Sequence, residues 1–214
     1  MPRQHGQIDQ RKSEDILDAA AQAFTERGLE APMEDIARRA GVSKQTIYNH
    51  YGCKEDLLKA LFSRRREEMI EPLVGGAHAD EPLEDRLSTY ILRMMEGYIG
   101  QGHTNFMRSA IAASATRPEL GRMVYEAGPR AGRRRIAEFL ATEAAAGILD
   151  IEDADRAADF LFGMAVGSLL LKIMMDVPVE RRADMLAARA RDCARRFLRA
   201  YAITPALAPQ GSVR

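Results

Sequence analysis

Apolar residues recur at intervals of three and four along most of the chain. Residues 16–24, 83–98 and 186–201 each place their apolar side chains on one face of a helix. No stretch alternates apolar and polar residues with the valine, threonine and aromatic content that is typical of strands. The pattern therefore predicts an all-α protein.

Glycines and prolines divide this pattern into about nine helices. The breaks fall at Gly28, Gly41, Gly52, residues 75–82, residues 100–102, Pro118, residues 147–153 and Pro178. Gly128 and Pro129 lie inside an otherwise helical run, so we expect that helix to kink or break there. Residues 204–214 contain two prolines and no periodicity, and we expect them to form a disordered tail.

Three helices are predicted near the start of the chain. Ser13 can cap the first helix, which ends at Gly28, and Pro32 suits the first position of the second. The second helix stops at Gly41, and Ser43 can cap a short third helix. Two short helices joined by a tight glycine turn, behind a longer supporting helix, make a helix-turn-helix.

The third predicted helix carries many polar side chains. The apolar residues that would face inward are Ile36, Ala37, Ala40, Val42 and Ile47. The residues left facing outward are Lys44, Gln45, Thr46, Tyr48, Asn49 and His50. Such a helix fits the DNA major groove, where Lys, Gln, Asn and Thr can read base edges and Tyr, His and Lys can hold phosphates. A solvated helix on any globular protein can have this composition, so composition alone leaves both interpretations open.

The order of residues around this helix resembles a known family. The stretch IARRAGVSKQTIYNHYGCKEDLLKALF resembles the N-terminal domain of TetR-family transcriptional regulators, and the match covers residues 12–61. Tyr51 replaces the family's usual Phe, and Ala31-Pro32 replaces its usual Ser or Thr. The resemblance implies base-edge or nearby backbone contacts for Ser43, Lys44, Gln45, Thr46 and Asn49. It implies phosphate or packing positions for Tyr48, His50 and Lys54, with Lys12 as a further candidate DNA contact.

The second half of the chain resembles one subgroup of the same family. Its RPEL, YEAGP and GILDIEDADRAADF elements are similar to those of AefR-like C-terminal regions. The resemblance implies an all-helical domain that binds a ligand and dimerises. We therefore expect a three-helix DNA-binding domain over residues 11–57, a larger ligand-binding and dimerisation domain over residues 58–203, and the tail beyond.

Methionine and aromatic residues on the later helices are candidates for a ligand pocket, because they suit a roomy apolar cavity with a few polar groups. The candidates are Tyr90, Met94, Tyr98, Met107, Ile111, Tyr125, Phe160 and Met164. The same residue types at helical spacing also make an ordinary hydrophobic core, and the sequence leaves that alternative open. We expect no ligand role for His103, which follows Gly102 in a predicted loop.

The last two helices are predicted to form a dimer interface. Residues 160–171 are apolar almost all round, more than one contact face requires, and contain Gly163 and Gly167 at GxxxG spacing. The final helix carries an apolar stripe made of Leu186, Ala190, Cys193, Ala194, Phe197 and Tyr201. Two such helices from each subunit would make a four-helix interface with two-fold symmetry. Alternatively, the two glycines pack inside a single chain.

Composition narrows the class of protein. The 214 residues are 46% hydrophobic and 29% charged, with a formal net charge of zero. Residues 37–54 form a local basic stretch that contains Arg38, Arg39, Lys44 and Lys54 but no acid. The longest apolar run is shorter than the roughly 20 residues that span a bilayer, and the N-terminus lacks the apolar core of a signal peptide. We therefore expect a soluble cytoplasmic protein with no membrane association.

The sequence contains no motif of an enzyme, a metal site or a cofactor site. It has no Gly-rich phosphate loop, HExxH, CxxC or nucleophile elbow, and its four histidines share no ligand spacing. We expect a ligand-responsive transcriptional regulator, a repressor, that binds a palindromic DNA operator as a homodimer and is released by a small, largely apolar effector. The alternative is a dimeric DNA-binding protein without an effector.

Overall fold

The computed structural model describes residues 10–203, which contain helices, turns and loops but no strand. The predicted all-α fold is confirmed. A π-helical segment, Glu126–Arg130, joins α7 (Pro118–Tyr125) to α8 (Ala131–Ala145) without a break. The described residues therefore hold nine helices if that run counts as one. The tail predicted over residues 204–214 lies outside the described residues. The helices are α1 (Gln10–Arg27), α2 (Met33–Arg39), α3 (Lys44–Tyr51), α4 (Lys54–Val74), α5 (Leu83–Ile99), α6 (Gln101–Ser114), α7 (Pro118–Tyr125), α8 (Ala131–Ala145), α9 (Ala154–Met174) and α10 (Ala183–Ala200).

Helix α1 starts earlier than the sequence pattern indicates. It already includes Gln10, so Ser13 lies inside the helix. The Oγ atom of Ser13 lies 2.7 Å from the hydroxyl oxygen of Tyr51, at the end of α3. The prediction that Ser13 caps α1 is therefore wrong, because its hydroxyl is used in a contact between two helices that are distant in sequence.

Local residues explain the tight turn between α2 and α3. Gly41 has a φ of +64°, a left-handed conformation in which most other residues are strained. The amide of Val42 donates to the carbonyl oxygen of Ala37 at 3.0 Å and closes the end of α2. Ser43 then caps α3, as predicted, because its Oγ accepts a hydrogen bond from the amide of Thr46 at 3.0 Å.

Pro129 widens a helix instead of ending it. Proline lacks a backbone N–H, so the regular α-helical hydrogen bond cannot form at its position. The chain accommodates this as the π-helical segment, from which α8 continues. In the same segment, Gly128 lies against α4 so closely that a Cβ atom added to it would be 3.2 Å from the ring of Phe62. The distortion at Pro129 therefore occurs where the continuous run of α7, the π-helical segment and α8 packs against α4.

Two clusters of buried apolar side chains hold the helices together. The first joins α1–α3 and the start of α4 to α6 and α7, and it includes Phe24 and Phe106. The second joins the rest of α4 to α5, α8, α9 and α10, and it includes Phe197. Helix α4 belongs to both clusters, through Leu61 in the first and Ile70 in the second. Through α4, a shift in one cluster can move the other. The domain boundary at residue 57 stays a prediction.

Helix α9 is the one helix within residues 10–203 that could cross a membrane by length and composition alone. It has 21 residues and a mean hydropathy of 1.6, and 39% of its most apolar window is buried. Core helices of soluble proteins meet the same test, and one face of α9 contributes Leu161 and Val166 to the second cluster. The opposite face is both apolar and exposed.

Candidate functional site

Helix α3 has one buried side and one polar, exposed side. Ile47 is fully buried in the first cluster. Gln45 and Asn49 each lie two positions from Ile47, which is a rotation of about 200° around the helix, and both are exposed. Lys44 is exposed beside them. The helix therefore presents a row of side chains of the types that read base edges in a major groove.

The exposed side chains of α3 contact each other and α2. The Nε2 atom of Gln45 donates to Oδ1 of Asn49 at 2.9 Å. Lys44 forms a hydrogen-bonded ion pair with Glu34 of α2, and its Nζ lies 5.8 Å from the ring centre of Tyr48. Exposed pairs of this kind contribute little to stability, so DNA can replace them at low cost.

The other candidate DNA contacts surround this face. Ser43 and Thr46 meet at the start of α3, with their hydroxyl oxygens 2.8 Å apart. Tyr48 and His50 are half-buried at the sides of α3, and Lys12 is exposed in the first turn of α1. The structure thus brings most of the candidates to one end of the molecule, and their individual contacts with DNA stay predictions.

Lys54 is turned into the protein. Its Nζ donates to the carbonyl oxygen of Leu29 at 2.5 Å and lies 5.9 Å from the ring centre of Phe24. Burial lowers the pKa of Lys54, although the charge of Glu30 opposes that effect. The structure therefore favours the packing role over the predicted phosphate contact, because the ammonium group ties the start of α4 to the turn after α1.

The positive charges in residues 37–54 are largely neutralised by acidic residues of α1 and α2. Asp35 is buried and accepts hydrogen bonds from Arg38 and, at 3.1 Å, from Nε of Arg39. Arg39 also pairs with Glu26 of α1 at 2.5 Å. Burial raises the pKa of Asp35, but the hydrogen bond from Arg38 and the charge of Arg39 outweigh it and hold that pKa below its usual value. Arg39 therefore fastens α2 to α1, whereas Arg38 pairs within α2.

A cavity of about 530 Å³ lies between α4, α5, α6, α8 and α9. This volume is within the range of roughly 300–1,000 Å³ that is common for ligand pockets. Four of the predicted pocket residues line its wall, namely Tyr90, Met94, Tyr98 and Met107. Phe62 of α4 and Phe162 of α9 complete the aromatic part of the wall.

The other four predicted pocket residues lie outside the cavity. Ile111, Tyr125 and Phe160 are 56%, 52% and 56% exposed, and Met164 is 40% exposed. Placing them in the pocket was wrong. Helical periodicity shows that a residue lies on an apolar face, but α9 has two such faces, and Phe160 and Met164 lie on the outer one.

Sequence analysis missed the charged part of the cavity wall. His103 lies in the first turn of α6 and not in the predicted loop. It lines the cavity in an edge-on contact with Tyr98, with the ring centres 4.7 Å apart, and the expectation that it has no ligand role stays a prediction. Arg65 and Arg133 also line the wall. The available signal was two runs of three arginines, at residues 64–66 and 133–135, in a chain of zero net charge.

Comparison with known proteins agrees with this architecture. The family model described as "Bacterial regulatory proteins, tetR family" matches residues 16–61. The model described as "AefR-like transcriptional repressor, C-terminal domain" matches residues 85–203, more than half of the chain.

The chain belongs to the TetR family.

Individual relatives fit this assignment. The structure of a TetR-family regulator from Mesorhizobium loti MAFF303099 is 27% identical, with a TM-score of 0.71, over 92% of this chain and 100% of that one. The flavonoid-responsive regulator FrrA is 30% identical, with a TM-score of 0.63 and the same coverage. An HTH-type transcriptional repressor of Mycobacterium tuberculosis is 33% identical over 108 residues, which are 48% of this chain. The chain spans only 57% of that curated relative's length.

The two matched family models describe bacterial regulatory proteins and a transcriptional repressor's C-terminal domain, so the chain contains both parts of a TetR-family regulator. Regulators of this family are not enzymes. Within residues 10–203, no group of His, Cys, Asp or Glu is arranged to hold a metal ion.

The apolar stripe of α10 lies inside this TetR-family chain. It packs against α5 of the same chain in the second cluster. Burial raises the pKa of Cys193 in this stripe to about 11. The prediction that the stripe forms the dimer interface is therefore wrong, because α5 already covers it. Its buried members are Leu186, Ala190, Cys193, Ala194 and Phe197, and the half-buried Tyr201 packs against them.

Helix α9 keeps an apolar face that no other part of residues 10–203 covers. Three large side chains on this face, Phe160, Met164 and Leu171, are between 40% and 64% exposed and lie within an arc of about 40° around the helix. Met175, directly after the end of α9, is 68% exposed. Gly163 and Gly167 lie beside them, and no described atom is within 4 Å of a Cβ added at either glycine. This outer face of α9, defined by these six residues, is open to the close approach of another helix.

Helix α6 connects the cavity to the DNA-binding helices of this TetR-family chain. His103 and Met107 of α6 line the cavity. Ser109, two residues after Met107, accepts a hydrogen bond at its Oγ from the amide of Leu29 at 3.1 Å. The carbonyl of Leu29 in turn accepts the bond from Lys54 at the start of α4. A continuous set of contacts thus leads from the cavity wall to the helices that support α3.

Proposed function

We propose that this chain is a ligand-responsive repressor that binds a palindromic operator as a homodimer and is released from it by a small-molecule effector. The proposal rests mainly on the cavity beside α4, the helix that begins directly after the recognition helix α3. A ligand in this cavity would contact α4 through Phe62 and Met69, and α6 through Met107. Both helices support the DNA-binding end, so a ligand can change the position of α3.

The outer face of α9 supports the homodimer. Contiguous exposed apolar surface marks interaction sites, and the same face on two copies can form a two-fold symmetric contact. A palindromic operator requires two recognition helices about 34–36 Å apart, one DNA turn, or a multiple of that distance. The dimer contact of α9 would set that spacing.

Aromatic side chains offer a physical route for the coupling. The ring of Phe62 in the cavity wall lies 5.6 Å from that of Phe106, which lies 6.2 Å from that of Phe24 in α1. A ligand that displaces Phe62 therefore acts on the core of the DNA-binding helices. A coupling of about 1–3 kcal/mol lowers DNA affinity roughly 5–150-fold, and operator DNA must then weaken effector binding by the same factor.

The nature of the wall and one relative both support an aromatic effector. Aromatic rings such as those of Phe62 and Phe162 favour offset or edge-on contacts with another ring. The similarity to FrrA, a flavonoid-responsive regulator, supports the same class of molecule.

The test starts from operator DNA selected from a random pool with the purified chain. Fluorescence anisotropy then measures DNA affinity with and without naringenin, a probe flavonoid, and we expect at least a roughly 5-fold loss with it. Gln45→Ala should weaken binding to the selected operator by about 1–3 kcal/mol per half-site and leave affinity for random DNA nearly unchanged. A selected operator whose affinity responds to no small aromatic molecule would favour the alternative, a dimeric DNA-binding protein without an effector.

A further inference from the structure

The cavity wall has an excess of arginine over acidic residues. Its one acid is Glu68. Arg65 makes no hydrogen bond or ion pair with any residue from 10 to 203, and burial lowers its pKa, as does the neighbouring charge of Arg64. The other four arginines of the wall pair with carboxylates that do not line it: Arg66 and Arg135 with Glu67, Arg93 with Glu71, and Arg133 with Asp159. The unpaired positive charge in the wall is therefore that of Arg65. The five arginines of the wall are Arg65, Arg66, Arg93, Arg133 and Arg135.

Arg133 is held firmly and still has one donor unused. Its Nε pairs with Oδ1 of Asp159 at 3.1 Å, and its guanidinium carbon lies 4.2 Å from the ring centre of Phe162. Its Nη1 atom is shielded from solvent and has no hydrogen-bond partner among residues 10–203. A buried charged donor without a partner is unfavourable, so this position favours a ligand atom that accepts a hydrogen bond.

Three uncharged polar side chains surround the same part of the wall. The Arg133 guanidinium lies over the ring of Phe162, whose centre is 5.6 Å from that of Tyr98, so Tyr98 lies close to this arginine. Tyr90 and His103 line the same cavity. Burial raises the pKa of both tyrosines, so each hydroxyl keeps a proton to donate at neutral pH. Burial also lowers the pKa of His103 to about 4, with a further contribution from the charge of Arg65, so this imidazole is neutral. Its Nε2 is buried and finds no partner in the described part of the chain.

The remaining wall suits a flat ring system. Phe62, Tyr98 and Phe162 present aromatic surfaces, and the ring centres of Tyr98 and Phe162 are 5.6 Å apart. Gly132 of α8 also lines the cavity, and its lack of a side chain leaves open space in which a planar group can approach the backbone.

We propose that the cavity binds an aromatic monoanion, whose carboxylate or phenolate oxygen accepts a hydrogen bond from Nη1 of Arg133 and whose ring lies among Phe62, Tyr98 and Phe162. Charge-assisted hydrogen bonds from arginine to an anionic oxygen are among the strongest available to a protein. The inference rests on the proposed function, since this cavity is the proposed effector site, and it names the chemistry of that effector.

Isothermal titration calorimetry on the full chain without DNA tests this assignment directly. The probes are 2-naphthoate, the uncharged 2-naphthamide of nearly the same shape, and the aliphatic anion decanoate. We expect 2-naphthoate to bind about ten-fold or more tightly than either of the others. Arg133→Met should bring naphthoate and naphthamide to within about two-fold of each other, and Arg133→Lys should restore part of the preference.

Arg134→Met is the matched control, because Arg134 is the next residue on α8, is 80% exposed and does not line the cavity. It should keep the preference for the anion. If Arg133→Met does not fold, Tyr98→Phe provides the second variant, and it should weaken naphthoate more than naphthamide. Equal binding of acid and amide, tighter binding of decanoate, or no binding of either naphthalene probe would overturn the assignment. Naphthoate binding that shows these preferences but leaves operator affinity unchanged would support the anion site and contradict the effector role.

Discussion

Gly28 lies where the DNA-binding helices meet α6. Replacing it should lower the free energy of unfolding by more than its left-handed backbone conformation alone would. Its φ is +60°, and a Cβ atom at this position would lie 2.6 Å from Cβ of Ser109 and still closer to the Ser109 hydroxyl. The adjacent amide of Leu29 donates to that same hydroxyl. Gly28→Ala therefore combines backbone strain with a clash against α6.

Comparison with a second glycine of similar φ, Gly147, separates the free-energy cost of backbone strain from that of the clash with Ser109. A left-handed conformation costs an alanine about 1–2 kcal/mol, and forcing an extra methyl group into a packed site costs about 1–3 kcal/mol. Gly147 has a φ of +69° and no described atom within 4 Å of an added Cβ, so Gly147→Ala should lose only the first amount. We expect Gly28→Ala to be the less stable of the two by about 1–3 kcal/mol.

Urea denaturation followed by far-UV circular dichroism measures both variants at one fixed protein concentration, since the stability of a dimer depends on concentration. Adding Ser109→Gly to Gly28→Ala removes the clashing atoms, so the double-mutant cycle should show a favourable coupling of about 1–3 kcal/mol. Equal free energies of unfolding for Gly28→Ala and Gly147→Ala, or no coupling to Ser109, would refute the reasoning.

Three further variants probe other parts of the molecule. Lys54→Met should lower the free energy of unfolding by about 1 kcal/mol, because it removes the hydrogen bond to Leu29; unchanged stability with weaker DNA binding would restore the phosphate role. His103→Gln removes a group that binds a proton in the unfolded chain below about pH 6.5 and in the folded chain only below about pH 4. As the pH falls from about 6.5 to about 4, the free energy of unfolding of the wild type should therefore decrease by up to about 3 kcal/mol more than that of the variant. Parallel stability profiles of the two proteins would contradict this. Gly163→Leu should convert the proposed dimer to a folded monomer in size-exclusion chromatography with light scattering; an intact dimer would exclude the outer face of α9 as the interface.

The helical fold and the DNA-binding end follow from features that are local in sequence. Gly41 and Ser43 set the turn between α2 and α3 through their own backbone and side-chain geometry, so the turn can be predicted from neighbouring residues. The buried side of α3 is fixed by Ile47, and its polar side follows from helical periodicity. Lys54 was harder to place, because its partner, the carbonyl of Leu29, belongs to a turn 25 residues earlier.

The use of each apolar face was decided only by tertiary packing. Periodicity shows that α10 has an apolar stripe and that α9 is apolar all round, but it carries no information on which other helix covers each face. In the structure, α5 of the same chain covers the stripe of α10, and α9 buries one face while exposing Phe160 and Met164 on the other. The cavity depends on packing in the same way. Arg65, His103 and Arg133 lie on three helices far apart in sequence, so the two guanidinium groups and the neutral imidazole form one site only when α4, α6 and α8 pack together.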